Sequence, residues 1–191
     1  MTPFDDVRRS EMSAAGACAV GQAAQASDPT RVTTDVVTLM YPYLLAPTTY
    51  QGRGTPYYRC CLGVRNEDRA TIDRLFDGVR AAIARGARDN MIYGIPLPNG
   101  IVDDDVIKSF RLTIHSGEME YPGDKRFAPY ILANCKTYQR PAVVDANCQP
   151  ITDPDAVRHG MMCRATVSFR TYNYMGTRGV SCTLHHVQIL E

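Results

Sequence analysis

Apolar and polar residues alternate without interruption in the segment CRATVSFRTY near the end of the chain. Because successive side chains of a β-strand point to opposite sides, this pattern predicts a strand with two different faces. The apolar face suits a protein core and consists of Cys163, Ala165, Val167 and Phe169. The polar face consists of Arg164, Thr166, Ser168, Arg170 and Tyr172. Such a face either stays in water or holds a ligand.

Similar patterns predict strands earlier in the chain. β-Branched and aromatic residues follow Thr33 in TTDVVTLMYPYLL, which is typical of a strand. The segment PYYRCCLGV places Arg59 and Arg65 on one side of a second strand. Its inward side is expected to consist of Tyr58, Cys60, Leu62 and Val64.

The last third of the chain predicts three more strands and a short one. A strand is expected from about Tyr130 to Tyr138 and a short strand at Val143 and Val144. The final pair, Met161 to Tyr174 and Gly179 to Leu190, is joined by NYMGTRG, whose glycines favour a hairpin turn.

One amphipathic helix is predicted between these groups of strands. Asn66 is the expected N-cap, and Glu67 and Asp68 suit the positive end of the helix dipole. A single apolar stripe at helical spacing follows, made of Ile72, Leu75, Phe76, Val79 and Ile83. Such a helix packs on a sheet, with its arginines on the solvated side.

This order of elements predicts a mainly β protein with an OB-fold, a five-stranded Greek-key barrel. Periodicity alone leaves a β-sandwich open as an alternative. Residues 1–32 are rich in Ala, Gly and Ser and are expected to form a flexible arm, so the domain is placed at residues 33–191.

Composition narrows the function less than the pattern does. The chain has 191 residues, 45% of them hydrophobic, and no apolar run approaches the roughly 18 residues that a membrane helix needs. It is therefore expected to be soluble, with no membrane partner. The net charge is +1, so any attraction to nucleic acid has to come from a local arrangement of basic residues.

No catalytic motif, cofactor or metal site is predicted. H-E-x-x-H, the Walker loop and G-x-S-x-G are all absent. The consecutive acidic residues Asp103, Asp104 and Asp105 suit capping and solubility better than a two-metal nuclease site, which brings carboxylates together from separate elements. The cysteines of the predicted strands are expected to be small buried hydrophobes.

The segments RPAVVDANCQPITDPDAV and GMMCRATVSFRTYNYMGTRGVSCTLHHVQIL resemble bacteriophage single-stranded-DNA-binding proteins long catalogued as a domain of unknown function. The resemblance covers roughly Thr33 to Glu191. It implies an OB-fold and sequence-nonspecific binding and protection of single-stranded DNA during phage DNA replication or recombination. It also implies action in the cytoplasm of the infected host, alongside phage replication or recombination proteins. The segment PLPNGIVDDDV departs from the family, which commonly has a basic segment there.

Two rows of basic and aromatic residues are the candidate DNA contacts. Single strands are held by cations that meet phosphates and by flat rings that stack on bases. One row lies on the alternating strand and continues beyond it, with Arg164, Arg170, Tyr172 and Tyr174. The second row has the same spacing and consists of Lys136, Tyr138 and Arg140. Together the rows are expected to form a groove that Arg59 and Arg178 extend.

Other functions stay open at this point. The Ala-rich arm also suits a structural or assembly protein of the virion, and a metal-dependent nuclease is a third interpretation. A homo-oligomer is compatible with the sequence as well.

Overall fold

The computed structural model describes residues 28–89, 97 and 100–191. The expected arm therefore lies, up to residue 27, outside the described residues. These residues contain eight strands, three α-helices and a 3₁₀ helix at Pro154–Ala156. In chain order the strands and α-helices are β1 (Arg31–Thr33), β2 (Val37–Tyr50), β3 (Arg53–Arg65), α1 (Arg69–Arg88), α2 (Asp104–Lys108), β4 (Ile114–Ser116), α3 (Gly117–Glu120), β5 (Tyr130–Thr137), β6 (Ala142–Val144), β7 (Met162–Tyr174) and β8 (Thr177–Ile189).

Five strands close into a barrel in the order β2, β3, β5, β8, β7. The sheet closes because β7 pairs both with β8 along its length and with the start of β2. Counted along the chain, the barrel strands are β2, β3, β5, β7 and β8, so their order around the barrel is first, second, third, fifth, fourth. The third and fifth strands, β5 and β8, pair in parallel. This closed Greek-key barrel confirms the OB-fold and removes the sandwich alternative.

The core contains the apolar face that the alternation predicted. Cys163, Ala165, Val167 and Phe169 are all at most 3% exposed. The stripe of α1 joins the same core, and the helix fits closely against β7 because Gly78 has no side chain. A Cβ at Gly78 would lie 2.7 Å from the Phe169 ring. Five cysteines, as expected, are buried free thiols in the strands: Cys60, Cys61, Cys135, Cys163 and Cys182.

The helix begins two residues later than its sequence pattern indicated. Asp68 is the N-cap, because its carboxylate accepts a hydrogen bond of 3.0 Å from the Thr71 N–H. The expected cap, Asn66, instead donates its side-chain amide to the Ala128 carbonyl at 3.0 Å. A long-range contact that the local sequence does not encode thus removes Asn66 from the helix end.

Four arginines of α1 make ion pairs rather than standing alone in solvent. Their carboxylate partners are Asp35 for Arg74, Asp77 and Asp104 for Arg80, Asp28 for Arg85 and Asp89 for Arg88. The hydrogen bond from Arg85, with further help from Thr30, lowers the pKa of Asp28 to about 2. These cations are already neutralised within the protein.

The three consecutive aspartates have structural roles. Asp103 caps α2 by accepting a hydrogen bond of 2.9 Å from the Val106 N–H. Asp104 pairs with Arg80 at 3.1 Å, and Asp105 pairs with Lys108 at 3.2 Å.

Among the described residues, no helix is long and apolar enough to cross a membrane.

Candidate nucleic-acid interface

Three neighbouring strands present one polar and aromatic row on the outside of the barrel. Arg59 of β3 lies directly opposite Lys136 of β5 and, on its other side, opposite Tyr43 of β2. Side chains opposite each other in a sheet point to the same face, so the three lie side by side. All three are exposed.

Tyrosine rings surround the two cations of this row. The Lys136 Nζ lies 4.1 Å from the centroid of the Tyr57 ring and 4.8 Å from that of Tyr138. These two rings are 6.5 Å apart and meet edge to face, at 69°. The Arg59 Cζ lies 4.9 Å from the Tyr43 centroid. We call these five residues, Tyr43, Tyr57, Arg59, Lys136 and Tyr138, the tyrosine–cation cluster.

The charges of this cluster have no carboxylate partner in the described part of the chain. Neither Arg59 nor Lys136 is in a salt bridge there, in contrast to the four paired arginines of α1. A cation over an aromatic face is attracted by the ring quadrupole and keeps its charge. The cluster therefore offers two positive charges and the exposed rings of Tyr43 and Tyr138 to an external ligand.

The predicted residues of β7 lie on another part of the barrel. Arg164 and Arg170 are exposed on the polar face, as the alternation indicated. Because β8 lies between β5 and β7, the row on β7 is not adjacent to the row of Lys136 and Tyr138. In the same polar face, Thr166 bonds to Thr33 of β1, with 2.9 Å between their hydroxyl oxygens.

The remaining predicted residues lie at strand ends and at the last hairpin. Tyr172 is half-buried, and its ring covers Gly179 on the paired strand, where a Cβ would collide with it. Tyr174 is 69% exposed beside the two-residue turn Met175–Gly176. Arg178 is half-buried in the same hairpin, and Arg140 is exposed just after β5.

Sequence reasoning missed Tyr43 and Tyr57. Tyr57 could have been found, because it is two residues before Arg59 and so shares its outward face. Tyr43 could not have been found from the sequence, because the pairing of β2 with β3 shifts register between Met40 and Tyr43. In that stretch Tyr41 has φ +48°, which breaks the regular alternation.

The fold and this surface define a class: an OB-fold protein with an exposed face of tyrosines and of cations that form no salt bridge with a described residue. The sequence model of the family described as Enterobacter phage Enc34, ssDNA-binding protein, matches residues 30–191. The chain therefore belongs to this family. No curated protein sequence matches it.

Solved structures agree with the fold. The single-stranded DNA-binding protein of bacteriophage Enc34, C-terminally truncated, superposes with a TM-score of 0.66 at 14% identity, over 85% of this chain and 86% of that one. Its complex with single-stranded DNA gives 0.66 at 14% identity, over 84% and 85%. The single-stranded DNA-binding protein gp2.5 of bacteriophage T7 gives 0.55 at 17% identity, over 84% and 91%.

Proposed function

We propose that this protein binds single-stranded DNA, with little preference among bases, through the outward face of β3 and β5. The observation that carries the proposal is the tyrosine–cation cluster. It combines two cations that have no carboxylate partner among the described residues with exposed aromatic rings. Membership of a family described as ssDNA-binding supports the same ligand.

The chemistry of the cluster matches a single strand better than a duplex. The cations can bind the phosphates of the strand, and its unstacked bases can stack on Tyr138 and Tyr43. The bases of a duplex are already stacked on each other. The second and third strands of OB-folds commonly form the face that binds oligonucleotides, and these are β3 and β5 here.

A phosphate bound at this position would also relieve a repulsion that is present in the free protein. Arg59 and Lys136 are directly opposite each other, and like charges in this arrangement destabilise a sheet. A phosphate between them would replace this repulsion with two charge-assisted contacts. Because every base has a π-face, stacking on the tyrosines adds affinity without reading sequence.

The DNA path is proposed to extend to the hairpin of β7 and β8. The loop between the fourth and fifth strands is a second place where OB-folds hold oligonucleotides, and Tyr174 is exposed there. Arg164 and Arg170 are exposed and form no salt bridge with a described residue. With Arg140, Tyr172 and Arg178 they remain candidate contacts on this extension.

The biological role that follows is protection of single-stranded DNA during phage DNA replication or recombination, in the cytoplasm of the infected bacterium. Replication or recombination proteins of the phage are the proposed protein partners. Binding and release require no catalytic group, and none is assigned.

A titration of the purified full-length chain with labelled oligonucleotides tests the proposal. We expect homopolymeric and mixed single strands to bind within about tenfold of one another, and a duplex of the same length to bind more weakly. Affinity should fall linearly with salt on logarithmic axes. Duplex binding that is tighter than single-strand binding would refute the proposal.

A further inference from the structure

A recess lined by aromatic rings lies on the outward face of β3, at the opposite end of this strand from the tyrosine–cation cluster. Arg65 and Arg59 share this face because they are six residues apart on one strand, about 20 Å at the usual rise. The recess has a volume of about 340 Å³, at the small end of the range for ligand sites of roughly 300–1,000 Å³. We call it the Tyr41 recess; its lining includes Tyr41, Arg65, Arg126, Phe127, Tyr130 and His159.

The rings of the recess come from three separate segments. The Tyr41 centroid lies 4.9 Å from that of His159 and 6.4 Å from that of Phe127. The Tyr41 N–H also donates a hydrogen bond of 3.3 Å to Nδ1 of His159. Tyr41 is 43% exposed, so one flat ring of this group is open to a ligand.

Phe127 is tightly packed at the base of the recess. Phe127 is buried with Met40, Cys61 and Leu132 in a small apolar cluster on the outside of the barrel. On its other side, Phe127 stacks on Tyr121 with 4.3 Å between centroids. A wall that is packed in this way can hold a planar ligand without collapsing.

The two arginines of the recess differ in availability. Arg126 is held by Asp124, with 2.7 Å between its Nη2 and the carboxylate Oδ2, and its Nε 3.0 Å from Oδ1. Arg65 rests on the Tyr130 ring, with 5.6 Å from Cζ to the centroid, and forms no salt bridge with a described residue. Arg65 is therefore the cation that can meet a phosphate.

The recess and the tyrosine–cation cluster lie along the same face of β3. Cys61 lies on this face between Arg59 and Arg65, two residues after Arg59, and it packs with Phe127 of the recess. A strand that follows this face of β3 from Arg59 therefore reaches the recess next.

We infer that the Tyr41 recess is a second nucleotide subsite for the same DNA strand, which stacks a base on Tyr41 and places a phosphate at Arg65. This inference rests on the proposed function, and it makes the footprint longer than the cluster alone would require. A flat base with an adjacent anion matches the pairing of an open ring with an unpaired cation.

The test is a length series of oligothymidylates, from about 4 to about 16 nucleotides, bound to the parent and to two variants of the full-length chain. The first variant combines Tyr41→Gly with His159→Ala. Glycine accepts the positive φ of Tyr41 without strain, so this variant is expected to fold. The second is Arg65→Ala, and the melting temperature of each variant verifies its folding.

We expect the parent to bind longer strands more tightly, up to the length at which both sites are filled. The first variant should bind the longest strand about 5- to 150-fold more weakly than the parent, the loss of one stacked base. The second should flatten the plot of log affinity against log salt by about 0.7, the value for one phosphate on a single strand.

Folded variants that match the parent at every length and salt concentration would overturn the subsite and leave the proposed function intact. The same outcome follows if the recess binds a protein partner instead of DNA. A parent that binds no single strand at any length would overturn both. Tyr138→Ala is the matched control, because it should weaken binding while the contribution of the recess persists.

Discussion

Arg59 and Lys136 lie directly opposite each other on adjacent strands, and each places its charge against a tyrosine ring instead of a carboxylate. The arginines of α1 show the other arrangement, since four of them pair with aspartates. The protein thus pairs these four helix arginines with carboxylates and leaves Arg59 and Lys136 of its barrel face available. This contrast locates the expected DNA contacts and leads to the first prediction.

Lys136→Ala should flatten the dependence of log affinity on log salt by about 0.7, because one phosphate contact with a single strand is lost. Stability should change by less than about 0.5 kcal/mol, since the lost cation–ring contacts are offset by the end of repulsion with Arg59. A salt series and a denaturant titration measure the two effects. Arg88→Ala on the helix is the control and should keep the parental salt slope. An unchanged slope in Lys136→Ala would contradict the assignment.

Tyr138→Ala should weaken binding by about 1–3 kcal/mol through the loss of one stacked base, with an almost unchanged salt slope. Tyr138→Phe is the matched control: it keeps the ring and should bind nearly like the parent. The ring is 62% exposed, so neither change should affect folding strongly. If the phenylalanine variant binds as weakly as the alanine variant, the hydroxyl and not stacking is responsible.

Substitutions on the two faces of β7 should have different effects, one on stability and the other on DNA binding. Phe169 is 3% exposed against α1, so Phe169→Ala should lower the free energy of unfolding by about 3–5 kcal/mol by leaving a cavity. Arg170→Ala should leave folding nearly intact and, as a proposed phosphate contact, reduce the salt slope by about 0.7. Thermal melts and salt titrations of both variants separate the roles. A parental slope in Arg170→Ala would confine the DNA path to other strands.

The ion pair of Asp28 with Arg85 should make stability depend on acid pH. The pKa of Asp28 is lowered from 3.8 to about 2, so its contribution is complete above about pH 5 and is lost as the pH falls through about 2. Asp28→Asn should therefore be less stable than the parent at neutral pH and converge with it below about pH 2. Denaturant titrations across this range measure the difference. The control is Asp73→Asn, an exposed residue of α1 outside the described ion pairs; an equal pH effect there would rule out the pair as the cause.

The sequence by itself determined the features that depend on local periodicity. The alternation from Cys163 to Phe169 predicted the buried face of β7, and the stripe from Ile72 to Ile83 predicted the packed face of α1. Side-chain direction in a strand or helix depends on position along that element, so a single sequence contains this information. The outward position of Arg59 follows for the same reason.

Only the tertiary structure decided which rows become neighbours. Barrel closure places β8 between β5 and β7, which separates two rows that look like one groove in the sequence. A register shift in β2 brings Tyr43 beside Arg59, and the recess joins Tyr41, Phe127 and His159 from three distant segments. These juxtapositions arise from strand pairing and loop packing across the whole chain. No local pattern encodes them, because each depends on residues that are far apart in sequence.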